Sequence, residues 1–241
     1  MKREVNMIKA VLFDLDGTLL PMDQDVFIKT FSGLLMKKMV KLKGYDPKQF
    51  STGIWSAIGR IGKNDGEITN EELWWKVYCS IMGRQAKEDE KIFLDFYENE
   101  FQETAKVCGC DKRAAEIISL VKEKGLRPIL ATNPLFPRPA TASRICWAGM
   151  QPEDFELFTT FEDYSYCKPN LDYYRQIMEK TGLEPSECVM VGNDVEEDMA
   201  AEKLGMKVFL LTDCIINKNN EDIFRWPNGD FDRLKEFIKE L

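Results

Sequence analysis

The segment Val11-Leu12-Phe13-Asp14-Leu15-Asp16-Gly17-Thr18 decides the fold of this chain. A short apolar run that stops at two carboxylates and a glycine predicts a buried strand followed by a turn. In an open α/β sheet, ligands bind beyond the carboxyl ends of the strands. Two carboxylates at such a place need compensation by a metal, a shared proton or both, because an unpaired buried charge is costly. The alternative is an Asp-Gly turn without function.

The composition limits the classes of protein to which this chain can belong. A chain of 241 residues with 44% hydrophobic and 31% charged residues is typical of a globular protein with one large or two small domains. The net charge of −8 argues against nucleic acid or an anionic membrane as the main partner. No apolar run approaches the roughly 20 residues of a spanning helix, and no signal-peptide core follows Lys2 and Arg3. We therefore expect a cytoplasmic protein.

The sequence contains no histidine. This excludes Ser-His and Cys-His catalysis and histidine-bound metals within the chain. Carboxylates, lysines, hydroxyls and backbone groups remain, together with a hard cation such as Mg²⁺, which takes oxygen ligands. The close pair Cys108 and Cys110 has no second pair to complete a zinc site, so we expect the seven cysteines to be reduced and mostly buried.

Helical periodicity dominates residues 22–105, which follow the first strand. Apolar residues recur at helical spacing there, and Thr69-Asn70-Glu71-Glu72 has the chemistry of a helix start. The adjacent Trp74 and Trp75 could stack on a substrate ring, but packing is the expected role. We predict a core domain of residues 1–20 and 107–241 with a helical domain of residues 21–106 inserted into it. Two connecting segments suit a lid that opens and closes.

Strands and helices alternate from about residue 111. Strands are predicted at Arg127–Ala131, Glu156–Thr160, Cys188–Val191 and Lys207–Leu211. Helices are predicted at Lys112–Lys124, Pro139–Ala148, Asn170–Thr181, Val195–Leu204 and Phe231–Leu241. This alternation predicts an α/β fold with a doubly wound, Rossmann-like parallel sheet. Right-handed crossovers would bring the strand ends to one edge.

Polar residues follow several of these strands. Thr132-Asn133 ends one strand, Lys168 precedes a helix, and Asp194 follows the apolar run 188–191, with Asp198 four residues further on the same predicted helix face. Taken singly, they could be a turn, a solvated lysine and a helix cap. In a parallel sheet they converge on one crevice.

These motifs resemble those of the haloacid dehalogenase superfamily of hydrolases, in the same order and over nearly the whole chain. Asp14-Leu15-Asp16-Gly17-Thr18 matches the first motif, Thr132-Asn133 the second, Lys168-Pro169 the third, and Gly192-Asn193-Asp194 through Asp198 the fourth. The helical insert resembles the mobile helical cap, type C1, of the phosphatase-like branch. Many members read Gly-Asp where this chain reads Gly-Asn-Asp. We favour Asp194 over Asn193 as the metal ligand because Asp198 keeps the expected spacing from it.

The resemblance, with the chemistry of these side chains, implies a role for each motif. Mg²⁺ would bind Asp14, Asp194, Asp198 and the backbone carbonyl of Asp16, and would offset the repulsion between a carboxylate and a phosphate. Asp14 would be the nucleophile that forms an aspartyl-phosphate, and Asp16 the general acid and base. Phosphate oxygens would be bound by the remaining polar residues of the motifs, Thr132, Asn133 and Lys168.

We therefore predict a Mg²⁺-dependent phosphatase that acts on a small phosphorylated metabolite, as a monomer or homodimer. Aspartate at position 16 favours phosphate esters over halides, because a halide leaves without a proton. A phosphomutase would share every catalytic residue, and a phosphonoacetaldehyde hydrolase would need an imine-forming cap lysine. Candidates for that lysine are Lys29, Lys37, Lys38 and Lys63. A non-catalytic phosphoester-binding protein is the remaining alternative.

Overall fold

A parallel sheet of five strands forms the centre of the computed structural model, which describes residues 7–241. The strands are β1 (Ala10–Phe13), β2 (Arg127–Leu130), β3 (Cys188–Gly192), β4 (Lys207–Leu211) and β5 (Asn228–Gly229). Their order is β2-β1-β3-β4-β5, and every neighbouring pair is parallel. The predicted α/β fold with a parallel sheet is confirmed.

Four α-helices form the insert that follows β1 in the chain. They are α1 (Gln24–Lys43), α2 (Pro47–Ile61), α3 (Asn70–Met82) and α4 (Glu90–Glu98), joined by 3₁₀ turns at Arg84–Asp89 and Glu100–Val107. Local chemistry sets their ends: Thr69 and Glu72 form a capping box at the start of α3, and α1 ends at Gly44 in the left-handed conformation. The predicted helical insert is present, and its division from the core at residues 21 and 106 stays a prediction.

The remaining helices cover both faces of the sheet. They are α5 (Lys112–Glu123), α6 (Arg138–Trp147), α7 (Leu171–Thr181) and α8 (Phe231–Lys239). Val11 and Phe13 pack with α5, α6 and α8, and this apolar cluster continues into the helical insert. Ala10 and Leu12 pack on the opposite face with α7. Because β2 and β3 flank β1 and are reached across opposite faces, β1 ends at the switch point where a ligand crevice forms.

Two predicted elements were wrong. Residues 156–160 lie along β2 but form one isolated bridge, Leu130 to Phe158, instead of a strand. Pro128 of β2 has no N–H to donate, which limits pairing at this edge. The predicted helix Val195–Leu204 is a run of turns followed by a short 3₁₀ helix at Met199–Leu204.

Two smaller features also differ from expectation. The two-residue strand β5 was missed because it is too short to carry a pattern. All seven cysteines are unpaired, but only Cys167 and Cys188 are buried, so the expectation of mostly buried cysteines was wrong. Within residues 7–241, no helix is both long enough and apolar enough to cross a membrane.

Candidate active site

The sequence-predicted carboxylates meet in a cavity at the carboxyl ends of β1, β2 and β3, which we call the strand-end cavity. It is lined by both motif carboxylates of β1, by the residues after β2 and β3, and by the first turns of α1. The lining side chains that matter here are Asp14, Asp16, Thr132, Asn133, Asp194, Glu197 and Asp198.

Asp14 is held at the end of β1 by the sheet itself. Its backbone N–H donates to the Val191 carbonyl at 2.9 Å, which extends the pairing of β1 with β3 by one residue. Its carboxylate accepts from Lys168 Nζ at 2.8 Å and from Thr18 Oγ1 at 3.1 Å. These bonds fix a buried carboxylate at the cavity wall.

Lys168 joins two of the motif carboxylates. Its side chain is fully buried, and Nζ donates to Asp198 Oδ1 at 2.6 Å as well as to Asp14. Burial opposes the charged ammonium, but the charges of Asp14 and Asp198 outweigh it and raise the pKa of Lys168 well above its usual value. The site therefore contains a permanent buried cation.

Gly17 allows the turn after β1 to approach β3 closely. Its φ is +83°, and a Cβ there would lie 2.4 Å from Asn193 Nδ2. Both polar atoms of the Asn193 side chain form hydrogen bonds within the protein. Oδ1 accepts from Thr18 Oγ1 at 2.9 Å, and Nδ2 donates to the Cys214 carbonyl at 2.7 Å. Asn193 thus holds the first and fourth motifs together.

Asp194 and Asp198 lie at the two ends of a backbone turn and not on one face of an α-helix. Asp198 N donates to the Asp194 carbonyl, and Asp194 N donates to Asp198 Oδ2, both at 2.9 Å. A Cβ on Gly192 would lie 2.1 Å from Asp198 Oδ2, so only glycine leaves room for this carboxylate. The predicted proximity of the pair is correct, although the helix behind it was wrong.

The segment after β2 presents donors to the cavity. The Thr132 carbonyl accepts from the Tyr173 hydroxyl at 2.8 Å, and Asn133 Oδ1 accepts from Lys168 N at 3.2 Å. Within residues 7–241, Thr132 Oγ1 and the Asn133 backbone N–H donate no hydrogen bond. The hydroxyl and the amide therefore remain available to an anion in the cavity.

Asp16 has a partner that the sequence interpretation missed. Its Oδ2 pairs with Arg144 Nη1, and Arg144 is fully buried on α6, stacked 4.5 Å above the Phe136 ring centroid. Asp16 Oδ1 is buried and accepts no hydrogen bond from the described residues. Burial, with the nearby charge of Asp14, raises the pKa of Asp16, and Arg144 opposes this rise. The sequence contains a signal for this, since Arg144 shares the buried face of α6 with Ala140, Thr141 and Ile145.

Glu197 is the second missed residue. It lines the strand-end cavity, and its Oε2 accepts from Asn133 Nδ2 at 3.1 Å. Burial raises the pKa of Glu197 to about 7. Sequence reasoning passed over it because it lies between two aspartates in an acidic run, which is typical of a solvated surface.

The donor set suits a hard cation such as Mg²⁺. Asp14 and Asp194 both face the cavity; Asp194 Oδ1 accepts from the N–H groups of Glu196 and Glu197, and within residues 7–241 its Oδ2 accepts no hydrogen bond. No group of three or more acidic or cysteine side chains among these residues forms a metal site by itself. Mg²⁺ usually binds one or two carboxylates and keeps several waters, so the arrangement fits it.

The cap lysines considered for imine chemistry lie elsewhere. Among the described residues that line the strand-end cavity, none is Lys29, Lys37, Lys38 or Lys63. Lys38 is bound in the cap by Asp95 and Glu100.

Comparison with known proteins places the chain in a family. The model of the haloacid dehalogenase-like hydrolases matches residues 8–205. The chain belongs to this family. The resemblance inferred from the four motifs is confirmed, and the protein is a hydrolase of the haloacid dehalogenase type.

Individual relatives agree with this assignment. The chain is 26% identical to enolase-phosphatase E1 of Aquifex aeolicus over 239 residues, which cover 96% of this chain and 98% of the relative. It is 22% identical to pyrophosphatase PpaX of Bacillus velezensis over 200 residues, covering 83% and 81% of the two chains. The solved haloacid dehalogenase phosphatase of Thermococcus onnurineus superposes with a TM-score of 0.57 at 19% identity, covering 96% and 98%.

Proposed function

We propose that this hydrolase is a Mg²⁺-dependent phosphatase that releases inorganic phosphate from a small phosphate ester through an aspartyl-phosphate on Asp14. The observation that carries the proposal is Asp16, a second carboxyl in the same cavity as Asp14, whose buried Oδ1 has no hydrogen-bond partner among residues 7–241. An ester oxygen must be protonated as it leaves, whereas a halide needs no proton. The names of the relatives from Aquifex aeolicus and Bacillus velezensis also support phosphate chemistry.

The first half of the reaction transfers the phosphoryl group. A carboxylate oxygen of Asp14 attacks phosphorus, the bond from phosphorus to the ester oxygen breaks, and Asp16 donates its proton to that oxygen. Lys168, the Thr132 hydroxyl and the Asn133 N–H offset the charge that builds on the phosphoryl oxygens. The leaving group departs as a neutral alcohol.

The second half regenerates Asp14. Asp16, now a carboxylate, accepts a proton from water, and the water oxygen attacks the phosphorus of the aspartyl-phosphate. The bond between phosphorus and the Asp14 oxygen breaks, so phosphate leaves and both carboxyls return to their starting protonation states. The Arg144 guanidinium orients Asp16 through both steps.

Asp14, Asp194 and the backbone carbonyl of Asp16 would hold the cation. When bound, Mg²⁺ neutralises charge on the phosphate and so lowers the repulsion that a carboxylate nucleophile meets. Both Asp198 oxygens already accept hydrogen bonds, so Asp198 would contribute through the position of Asp194 and Lys168 or through a water.

The test is phosphate release from a panel of alkyl and aryl phosphate esters. We expect turnover with Mg²⁺, none in excess chelator, and a loss of at least about 10³-fold in Asp14→Asn. Acid-quenched protein should carry covalently bound phosphate in the wild type and none in Asp14→Asn. Asp232→Asn, the same change at an exposed position on α8, serves as the control and should keep full activity. Turnover that persists in Asp14→Asn would overturn the proposal.

A further inference from the structure

A second cavity lies between the helical insert, the segment after β2 and residues 161–162; we call it the cap cavity. Its walls are mainly aromatic, with Trp74, Trp75, Phe93, Tyr97 and Phe161 among them. The two tryptophans form a T-shaped pair with ring centroids 4.9 Å apart, and Phe93 lies edge-on to both. Such a lining offers several π-faces to one small ligand.

Three carboxylates share this cavity with the aromatic rings: Glu71, Glu90 and Glu162. Glu162 Oε1 accepts from Arg138 N at 2.8 Å, but Oε2 is buried and has no partner among the described residues. Burial raises the pKa of Glu71, and the charge of Glu162 adds to that rise. The carboxylates therefore repel one another in an apolar setting.

Few positive charges offset these carboxylates. Lys87 pairs with Glu90 at 2.9 Å and lies 4.1 Å above the Trp75 ring centroid, but the lysine side chain is 50% exposed. Within residues 7–241, no basic side chain forms an ion pair with Glu71 or Glu162. Among the described residues that line the cap cavity, none is a lysine or an arginine.

The cap cavity adjoins the strand-end cavity. Leu135 and Phe136 line both, and one face of α1 runs past both. On that face, Ile28 borders the strand-end cavity and Leu35 borders the cap cavity. At 1.5 Å rise per residue, these positions are roughly 10 Å apart along the helix axis. An extended leaving group of that length would span the two cavities.

We infer that the cap cavity binds the leaving group of the substrate, and that this group carries an organic ammonium at its far end. Aromatic faces attract such a cation, most strongly where water is excluded. Glu71 and Glu162 supply the opposing charge, and the buried Glu162 Oε2 gains a partner. The inference rests on the proposed phosphatase function for the phosphate end of the ligand and on the cap cavity for the other end.

Matched pairs of synthetic esters test the charge requirement. One series carries a trimethylammonium group at the end of alkyl phosphates of two to eight carbons; the other carries the isosteric neutral tert-butyl group. We expect kcat/KM to favour the cationic ester by about 10-fold or more once the chain is long enough to reach the cap cavity. Glu162→Gln and Glu71→Gln should each reduce this ratio severalfold, mainly through a lower kcat/KM for the cationic ester. Glu98→Gln, the same change at an exposed position of α4, should not alter it.

Binding of the unphosphorylated trimethylammonium alcohols gives a readout that does not depend on turnover. These alcohols should quench emission from Trp74 and Trp75, more weakly in Glu162→Gln and with a smaller amplitude in Trp74→Phe. Quenching by the alcohols without hydrolysis of any ester would support the cap site and refute the phosphatase. Equal kcat/KM for cationic and neutral esters, together with no quenching, would overturn the inference.

Discussion

Several carboxylates line both the strand-end cavity and the cap cavity, but among residues 7–241 only those of the strand-end cavity are paired with fully buried cations. Behind the wall of the strand-end cavity, the fully buried Lys168 pairs with Asp14 and Asp198, and the buried Arg144 pairs with Asp16. In the cap cavity, Glu162 has a buried oxygen without a partner among residues 7–241, and the ion pair of Lys87 with Glu90 is about half-exposed. The first arrangement suits an anion and a metal, and the second suits a cation brought by the ligand.

Removal of the buried Lys168 should have the largest effect, because it takes away the cation that distinguishes the strand-end cavity from the cap cavity. Lys168→Met leaves Asp14 and Asp198 buried and unpaired, so we expect unfolding free energy to fall by about 3–5 kcal/mol. Phosphate release should fall by about 10²–10³-fold because a positive charge at the phosphoryl group is lost. Urea denaturation and a phosphate-release assay measure the two effects.

Lys38→Met is the matched control for that change. Lys38 is also buried, but its partners Asp95 and Glu100 keep 59% and 44% of their side-chain surface exposed. Solvent therefore compensates those carboxylates when the lysine is removed, so the loss should stay below about 1 kcal/mol and turnover should be unchanged. Equal losses of unfolding free energy in Lys168→Met and Lys38→Met would contradict the distinction between an ion pair with buried carboxylates and one with exposed carboxylates.

Arg144→Met tests the cation beside the general acid. The guanidinium lowers the pKa of Asp16, so its removal should raise that pKa further. Because the first step needs protonated Asp16, the alkaline limb of kcat/KM against pH should move to higher pH, by about one unit. Arg138→Met, on the same helix with a half-exposed side chain, should leave the profile where it is. A profile that does not move in Arg144→Met would mean that Arg144 does not act through Asp16.

Glu71→Gln gives the smallest effect and concerns the cap cavity. The pKa of Glu71 is higher in the folded chain than in the unfolded chain, so the folded chain binds more protons between the two values. Stability is therefore lost as pH rises through that interval, and the glutamine variant avoids the loss. We expect Glu71→Gln to raise Tm by about 1–2 °C at pH 8 and to change it little at pH 4.

The control for this measurement is Glu98→Gln, which should not alter Tm at either pH. A Tm gain for Glu71→Gln that was the same at both pH values would point to packing or helix propensity instead of charge. Addition of a trimethylammonium alcohol should raise the wild-type Tm, since a bound cation relieves the same repulsion.

Short-range sequence patterns were sufficient to predict most of the helices and strands. The apolar run before Asp14 and the capping chemistry at Thr69 are short-range signals that predicted elements that are present. The alternation after residue 111 predicted most of the later strands and helices. The failures have local causes that only geometry reveals. Pro128 limits pairing of residues 156–160 at the sheet edge, and the bonds between Asp194 and Asp198 tighten the turn where a helix was expected.

The sequence by itself determined the family and the residue types at the strand ends, because these depend on motif order and side-chain chemistry. Tertiary structure alone decided how the charges pair. Lys168 meets Asp14 across 154 positions and Asp198 across 30, and Arg144 meets Asp16 across 128. No periodicity spans such separations, since the pairing follows from strand order and helix placement. The same holds for the cap cavity, whose aromatic and acidic walls come from α1, α3 and α4, the segment after β2 and the segment between α6 and α7.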